Sequence, residues 1–262
     1  MIVLTGASGG IGTALAMRLA ARGKHLVLTA RDRPRLEALA TRVTEQGGSA
    51  SVRPANLRDQ EQVQALVQEI LAQDGVPEAV ICLTGHSIHR DLDASFGRPH
   101  DLVRLTGTNL LGPATLLLGL LEAMAARGSG RLLVTTSATA RIPAPGWAAY
   151  GASKAGLDTW LRSIRPDAIR HGVGIAVMEL PLVATAMAAP TYGRAPRGAL
   201  SAEQAADQLL RALDGRRSLY SPWWARLGAI ASAVAPSLAA RAAGRAGRLG
   251  TRLLARDLGR PG

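Results

Sequence analysis

The stretch Tyr150-Gly-Ala-Ser-Lys154 places a phenol and an ammonium four positions apart. On a helix, side chains at that spacing share a face and can enter one cleft. A free phenol has a pKa of about 10 and is a sluggish acid or base near neutrality. A neighbouring positive charge favours the phenolate, so Lys154 is expected to lower the Tyr150 pKa. Tyr150 could then exchange a proton with a carbonyl or alcohol oxygen, and Ser137, upstream, could donate a hydrogen bond to that same oxygen. The chain holds three tyrosines and two lysines against 29 arginines. Keeping a lysine at 154 therefore favours a site that needs a compact ammonium rather than a planar fork. The same spacing also fits an amphipathic helix with a buried tyrosine and a lysine whose stem runs out to solvent.

Positioning such groups needs a scaffold, and the N-terminus supplies its first unit. Ile2-Val-Leu-Thr5 reads as a short apolar strand, Gly6 to Gly12 as a turn, and the segment from Thr13 to Arg22 as a helix. Strand, glycine-rich turn and helix form the phosphate-binding head of a Rossmann unit. Gly6 allows the tight turn, Gly10 the approach of a pyrophosphate, and Gly12 close packing of helix on strand. The helix N-terminus adds free N–H groups and a favourable dipole for the anion. Beyond it, strands are expected near 25–29, 50–54, 78–82, 131–136, 174–180 and 217–220. Helices are expected near 33–46, 59–73, 99–127, 147–171 and 201–213, and Pro166 should kink or end the helix it falls in. This alternation predicts an α/β fold, a doubly wound parallel sheet with helices on both faces. At 262 residues the chain can bury one sizeable core. The reading divides it into a dinucleotide-binding and catalytic domain over 1–221 and a Trp/Arg-rich extension over 222–262.

Thr5-Gly6-x-x-x-Gly10-x-Gly12, Asn109, Ser137 and Tyr150-x-x-x-Lys154, in that order over roughly residues 1–220, resemble the short-chain dehydrogenase/reductase family. The resemblance implies hydride transfer between a nicotinamide cofactor and a carbonyl/alcohol pair. It further implies that Tyr150 is the acid/base, that Lys154 also binds the nicotinamide ribose, and that Ser137 orients the substrate oxygen. By the same resemblance Asn109 supports a water in the proton relay. Cofactor contacts are then expected from Gly6, Ser8, Gly10, Ile11, Gly12, Arg31, Asn56, Leu57, Gly85, Tyr150, Lys154, Pro181, Val183 and Thr185. A homodimer or homotetramer is implied as well.

The second strand bears on which cofactor. An NAD-preferring unit ends this strand with an acidic side chain for the ribose 2′-hydroxyl. Here Leu26-Val-Leu-Thr-Ala30 ends without one and Arg31 follows, a guanidinium that can bind a 2′-phosphate bidentately. NADP(H) is therefore expected over NAD(H). Asp32 is as well placed to cap the next helix, and Arg33 and Arg35 either add to the positive field or form a solvated first turn. Asn56 stands where the family has an acidic residue near the adenine. Two motifs depart from the family. Its Asn-Asn-Ala-Gly reads Cys82-Leu-Thr-Gly85, so local hydrogen bonding must differ, and its Pro-Gly reads Pro181-Leu182, which alters the loop over the nicotinamide.

Other side chains have plainer readings. His86, His89, Asp91 and Asp93 lie on an apparent loop without the helical scaffold of a metal site, and no metal is expected. Cys82, the single cysteine, excludes an intramolecular disulfide and reads as a small buried hydrophobe at a strand end. Trp147 fits either a substrate-pocket wall or the core.

Net charge is +12, and residues 222–262 carry seven arginines against Asp257, giving 7 − 1 = +6. Arg241, Arg245, Arg248, Arg252 and Arg256 follow at helical spacing behind Trp223 and Trp224. This segment fits a peripheral membrane-surface helix, a helix packed on its own or a neighbouring subunit, or a disordered tail. Its uncharged run, Leu227 to Ala240, is broken by Pro236 and too short to span a bilayer. Arginines elsewhere are scattered among acids, so no nucleic-acid partner is expected. The first strand begins at residue 2, so no signal peptide is expected. A cytoplasmic location is expected, with peripheral contact at the inner face of a membrane if the tail binds lipid.

Two function classes remain. One is an NADP(H)-dependent carbonyl reductase or alcohol dehydrogenase acting on a lipophilic ketone, aldehyde or alcohol. The other is a non-catalytic dinucleotide-binding protein with a regulatory or membrane-associated role.

Overall fold

A computed structural model describes residues 1–192 and 198–245. The alternation read from the sequence appears as β1 (Ile2–Thr5), α1 (Gly10–Ala20), β2 (His25–Thr29), α2 (Arg33–Glu45), β3 (Ser49–Val52), α3 (Gln60–Glu69) and β4 (Ala79–Cys82). Next come the short α4 (Leu92–Ser95), α5 (Pro99–Thr106), a π turn (Gly107–Leu111) and α6 (Gly112–Arg127), the last three forming one continuous rod. The second half runs through β5 (Gly130–Ser137), α7 (Ala148–Arg170), β6 (Val173–Leu180), the single turn α8 (Ala189–Tyr192), α9 (Ala202–Asp214), β7 (Leu219–Tyr220) and α10 (Trp223–Val234).

All seven strands run parallel in the order β3-β2-β1-β4-β5-β6-β7. Strand alternation sends successive side chains to opposite faces, and each face has its own helical layer. Val3, Val27, Val80, Leu132 and Val177 pack with Val63 and Leu66 of α3, Leu116 and Leu120 of α6, and Leu157 and Leu161 of α7. Ile2, Leu4, Leu28, Ile81 and Met178 pack on the other face with Leu15 and Leu19 of α1, Leu36 of α2 and Leu209 of α9. The rod from Pro99 to Arg127 has the length and apolarity of a membrane span, but its Leu105, Leu116, Leu117, Leu120 and Met124 are fully buried, as a core helix requires.

Of the two outcomes expected at Pro166, a kink or an end, the end does not occur: α7 continues through it to Arg170. Proline removes one N–H and crowds the preceding turn, but Pro166 lies on the exposed face, where water can satisfy the carbonyl it leaves unpaired. Leu157, Leu161 and Ala168 hold the opposite face in the core.

The chain winds from β1 outward through β2 and β3, then returns to lay β4 on the other side of β1. At such a reversal the loops leaving the carboxyl ends diverge and open a crevice. The glycine turn, Arg31, Asn56, Gly85 and Pro181 follow strand ends on that rim, and Ser137 is the last residue of β5 there.

Candidate active site

The crevice has two connected parts. The larger, about 810 Å³, runs along the β1–α1 turn and is lined by Gly6, Ser8, Gly10, Ile11, Gly12, Arg31, Asn56 and Leu57. The smaller, about 390 Å³, is lined by Ser137, Tyr150, Lys154, Pro181 and Val183 with an apolar wall of Trp147, Leu180, Leu182, Met187, Tyr192 and Trp224. Ile11, Leu83, Gly85, Thr135, Thr185 and Met187 border both, so the two parts open into each other. Every residue expected to contact a cofactor thus lines one part or both.

In the turn, Gly6 adopts a positive φ of 68° that side-chain-bearing residues resist. A Cβ at Gly12 would stand 2.3 Å from the Gly6 carbonyl oxygen, which is why helix and strand can approach only with glycine there. Gly9 caps α1 without a side-chain hydrogen bond, leaving the first N–H groups of the helix free beside the cleft. Bare backbone donors at a helix N-terminus suit a phosphate, so the residues present fit a dinucleotide.

At the far end of this groove, Asp32 is the cap of α2: it accepts from the Arg35 N–H at 3.1 Å and pairs with the Arg35 guanidinium. Arg33 pairs with Glu37. Among the described residues, Arg31, Arg58 and Arg104 line the groove without an ion-pair partner. The amide oxygen of Asn56 is engaged locally, accepting from the Arg58 N–H at 3.2 Å.

The reacting groups come from β5 and α7. Ser137 accepts hydrogen bonds from the Thr139 N–H and hydroxyl at 3.3 and 3.0 Å, so its own proton is free to donate into the cleft. Lys154 is buried, and its Nζ donates to the Thr135 and Thr84 carbonyl oxygens at 3.2 and 3.4 Å. Burial lowers its pKa to about 8, with the nearby Cys82 opposing. Gly85 packs against this ammonium.

Tyr150 departs from the sequence expectation. Its pKa is raised, chiefly because burial disfavours the phenolate; the Ser137 hydroxyl opposes the rise and Tyr192 adds to it. The Lys154 ammonium is directed at two backbone carbonyls rather than at the phenol, and burial sets the direction of the shift. Tyr150 therefore holds its proton across the neutral range.

Asn109 lies behind the cleft wall. The π turn breaks the rod's regular spacing, a common device where a helix must present a particular side chain, and leaves Asn109 fully buried. Its Oδ1 accepts from the His86 N–H at 2.8 Å, while Nδ2 donates to the His86 carbonyl at 2.8 Å and to Ser153 Oγ at 2.9 Å. Ser153 in turn donates to the Tyr150 carbonyl at 2.7 Å. This chain ties the helix carrying Tyr150 and Lys154 to the strand-end loop at His86.

The altered motif at 82–85 has its own hydrogen bonds. Thr84 donates from its hydroxyl and its N–H to Thr5 Oγ1 at 2.8 and 3.3 Å, and Thr135 Oγ1 donates to the Cys82 carbonyl at 3.2 Å. The ends of β1, β4 and β5 are thereby joined. Cys82 is buried and its thiol is pushed up by that burial, as expected of a small core residue. At the other altered motif, the Leu182 carbonyl accepts from the Leu200 N–H at 2.9 Å and Ala184 N–H donates to the Leu200 carbonyl at 2.8 Å, anchoring the loop over the cleft.

Trp147 is a pocket wall, edge-on to Tyr150 at 5.7 Å and stacked on Tyr192 at 6.3 Å. His89 abuts Trp147 at 5.1 Å, and no cluster of three metal-ligating side chains forms among the described residues. Ser153, Thr84, Tyr192 and Trp224 were not singled out as site residues from sequence. Ser153 carried a usable signal, a polar residue on the inward face three positions after Tyr150; the others meet the site only through contacts distant in the chain. Arg248, Arg252 and Arg256 of the expected arginine stripe lie outside the described residues.

Residues 1–194 match the sequence family described as short chain dehydrogenase. The chain is 37% identical over 238 residues to a fatty acyl-CoA reductase of Acinetobacter baylyi, covering 90% of this chain and 80% of that one. It is 36% identical over 222 residues to a fatty acyl-CoA reductase of Mycobacterium tuberculosis, covering 84% and 76%. In structure it resembles a short-chain dehydrogenase from Sphingobium yanoikuyae in complex with NADPH, with a TM-score of 0.77, 26% identity and coverage of 88% and 92%. An alcohol dehydrogenase from Thermococcus sibiricus complexed with 5-hydroxy-NADP is similar at a TM-score of 0.75 and 26% identity, covering 84% and 94%.

Proposed function

The chain belongs to the short-chain dehydrogenase family, and on that premise we propose that it is an NADP(H)-dependent oxidoreductase reducing the carbonyl carbon of a long apolar chain. Carrying this reading is the convergence of Ser137, Tyr150 and Lys154 on a small, predominantly apolar pocket that opens directly into the dinucleotide groove.

The residues of the β1–α1 turn hold the pyrophosphate, Arg31 meets the 2′-phosphate, and Lys154, Val183 and Thr185 hold the nicotinamide end. When bound, the cofactor supplies the two-electron reduction. NADPH-bound and NADP-type structures among the similar proteins support the phosphorylated cofactor, as does the absence of an acid at the end of β2. Ser137 donates a hydrogen bond to the substrate oxygen and fixes it beside Tyr150. A phenol protonated at neutral pH is set to give its proton to that oxygen as negative charge develops. Lys154, charged below about pH 8, holds the ribose and stabilises the phenolate left behind. Asn109 and Ser153 position α7 rather than touch the reacting atoms.

The apolar wall and the two fatty acyl-CoA reductase relatives favour a long-chain acyl thioester or its aldehyde as substrate. Oxidation of NADPH should be followed with a long-chain acyl-CoA and with the matching aldehyde. Thiol release accompanying NADPH loss identifies thioester reduction, whereas NADPH loss with the aldehyde alone limits the activity to carbonyl reduction. No oxidation with either, or with apolar ketones, would leave a dinucleotide-binding protein without turnover and refute the proposal.

A further inference from the structure

The outer face of α10 is apolar where a solvated surface helix would be polar. Trp223, Leu227, Ile230 and Val234 are 74, 58, 59 and 80% exposed, and their spacing of four, three and four places them on one stripe. The opposite face is packed: Ala225 is buried, and a Cβ at Gly228 would stand 2.5 Å from Ile142. The stripe is therefore a second, outward apolar surface on a helix that already has its inner contact. The chain then breaks at Ala235 and becomes helical again over 236–245, with exposed Leu238, Arg241 and Arg245 on one side.

Charge identifies what covers this surface. Among the described residues, 215–245 contain five arginines and no acidic residue. A second copy docking through the same segment would set arginines against arginines, which disfavours self-association. An anionic lipid surface meets both features: tryptophan and aliphatic side chains enter the headgroup boundary while arginines bind phosphate. Trp224, on the flank of the same helix, lines the apolar pocket, so the stripe and the pocket mouth lie on one element.

We propose that α10 docks this protein on an anionic lipid surface through Trp223, Leu227, Ile230 and Val234, and that an apolar substrate passes from that surface to the pocket past Trp224. The second clause rests on the proposed function; the first does not.

Full-length protein without cofactor or substrate would be sedimented with phosphatidylcholine vesicles, with and without phosphatidylglycerol, at low and high salt. Binding is expected only to the anionic vesicles and should be released by salt, because screening weakens the arginine contacts. The combined variant Leu227→Gln, Ile230→Gln, Val234→Gln leaves the packed face intact and should bind at least about tenfold more weakly. Quenching of tryptophan emission by brominated lipid should disappear in Trp223→Phe, or fall sharply. Failure of the parent to bind anionic vesicles at low salt would overturn the proposal. So would undiminished binding by the triple variant, or a smaller oligomer for that variant without lipid, which would make the stripe a contact between copies. Delivery is read separately: the triple variant should lose turnover of a vesicle-embedded long-chain aldehyde and keep turnover of a short water-soluble one, and equal loss on both would exclude passage along α10. Vesicle binding without NADPH oxidation would refute the enzymatic reading and leave the surface standing.

Discussion

At the scale of single residues, the Tyr150 phenol and the Lys154 ammonium have divided roles set by burial. Tyr150 is raised and keeps its proton, so Tyr150→Phe should lower turnover by about 10²-fold or more while NADPH affinity, measured by fluorescence titration, stays near the parent's. Lys154 is lowered from its ordinary 10.5 to about 8. Between those values the unfolded chain binds the extra proton, so this group makes folding stability rise as pH climbs through the window. A ligand whose oxygens accept from the ammonium favours the charged form, so NADPH binding just above pH 8 should take up a proton. Calorimetry in two buffers of different ionisation enthalpy would detect that uptake in the parent, and Lys154→Met should abolish it. Arg31 is exposed and unpaired among the described residues, and on the proposed function it would meet the 2′-phosphate. Replacing it by Asp should reduce the NADPH:NADH ratio of kcat/KM by roughly ten- to a hundredfold, the equivalent of one or two charge-assisted hydrogen bonds; an unchanged ratio would transfer the role to Arg58 or Arg104.

Between elements, the site depends on how the rod from Pro99 to Arg127 meets its neighbours. A Cβ at Gly112 would stand 1.7 Å from the Leu57 carbonyl oxygen, so the rod lies against the loop after β3 only because that position is glycine. The π turn just before it directs Asn109 inward, where three hydrogen bonds join His86 to α7. Asn109→Leu would strip partners from the His86 N–H and carbonyl and from Ser153, at about 1–3 kcal/mol for each buried group left unsatisfied. Thermal unfolding should shift down by at least several degrees, and kcat should fall more than NADPH affinity, because α7 loses its anchor while the β1–α1 turn does not. An unshifted melting temperature would show that the network contributes nothing to the fold.

Across the whole molecule, the β1–α1 turn and α10 meet at one cleft: Gly6, Ser8, Gly9, Gly10, Ile11 and Gly12 line the dinucleotide groove, and Trp224 lines the apolar pocket. Each methylene buried there contributes about 0.8 kcal/mol, so kcat/KM for n-alkyl aldehydes should rise roughly fourfold per carbon until the pocket is filled. Trp224→Ala should flatten that rise for the longest chains and spare the shortest. Equal loss at all lengths would mean that Trp224 supports the fold rather than the substrate chain.

Short-range patterns were legible in the sequence, because strand alternation, helical periodicity and turn chemistry act over a few residues. They located the seven strands and the main helices to within a few positions. They also picked out the glycine turn, Arg31 and the Tyr150–Lys154 spacing. What depended on groups far apart in the chain became visible only in three dimensions. Thr84 acquires its partner Thr5 through the β1–β4 pairing, and Asn109 reaches His86 and Ser153 through a π turn that no periodicity announces. Pro166 is tolerated because tertiary packing holds its helix on both sides of it. The direction of the Tyr150 shift was misread for the same reason. Spacing placed a cation on the same helix face, whereas the folded chain turns the ammonium to the Thr84 and Thr135 carbonyls and desolvation by the assembled walls of the pocket raises the phenol.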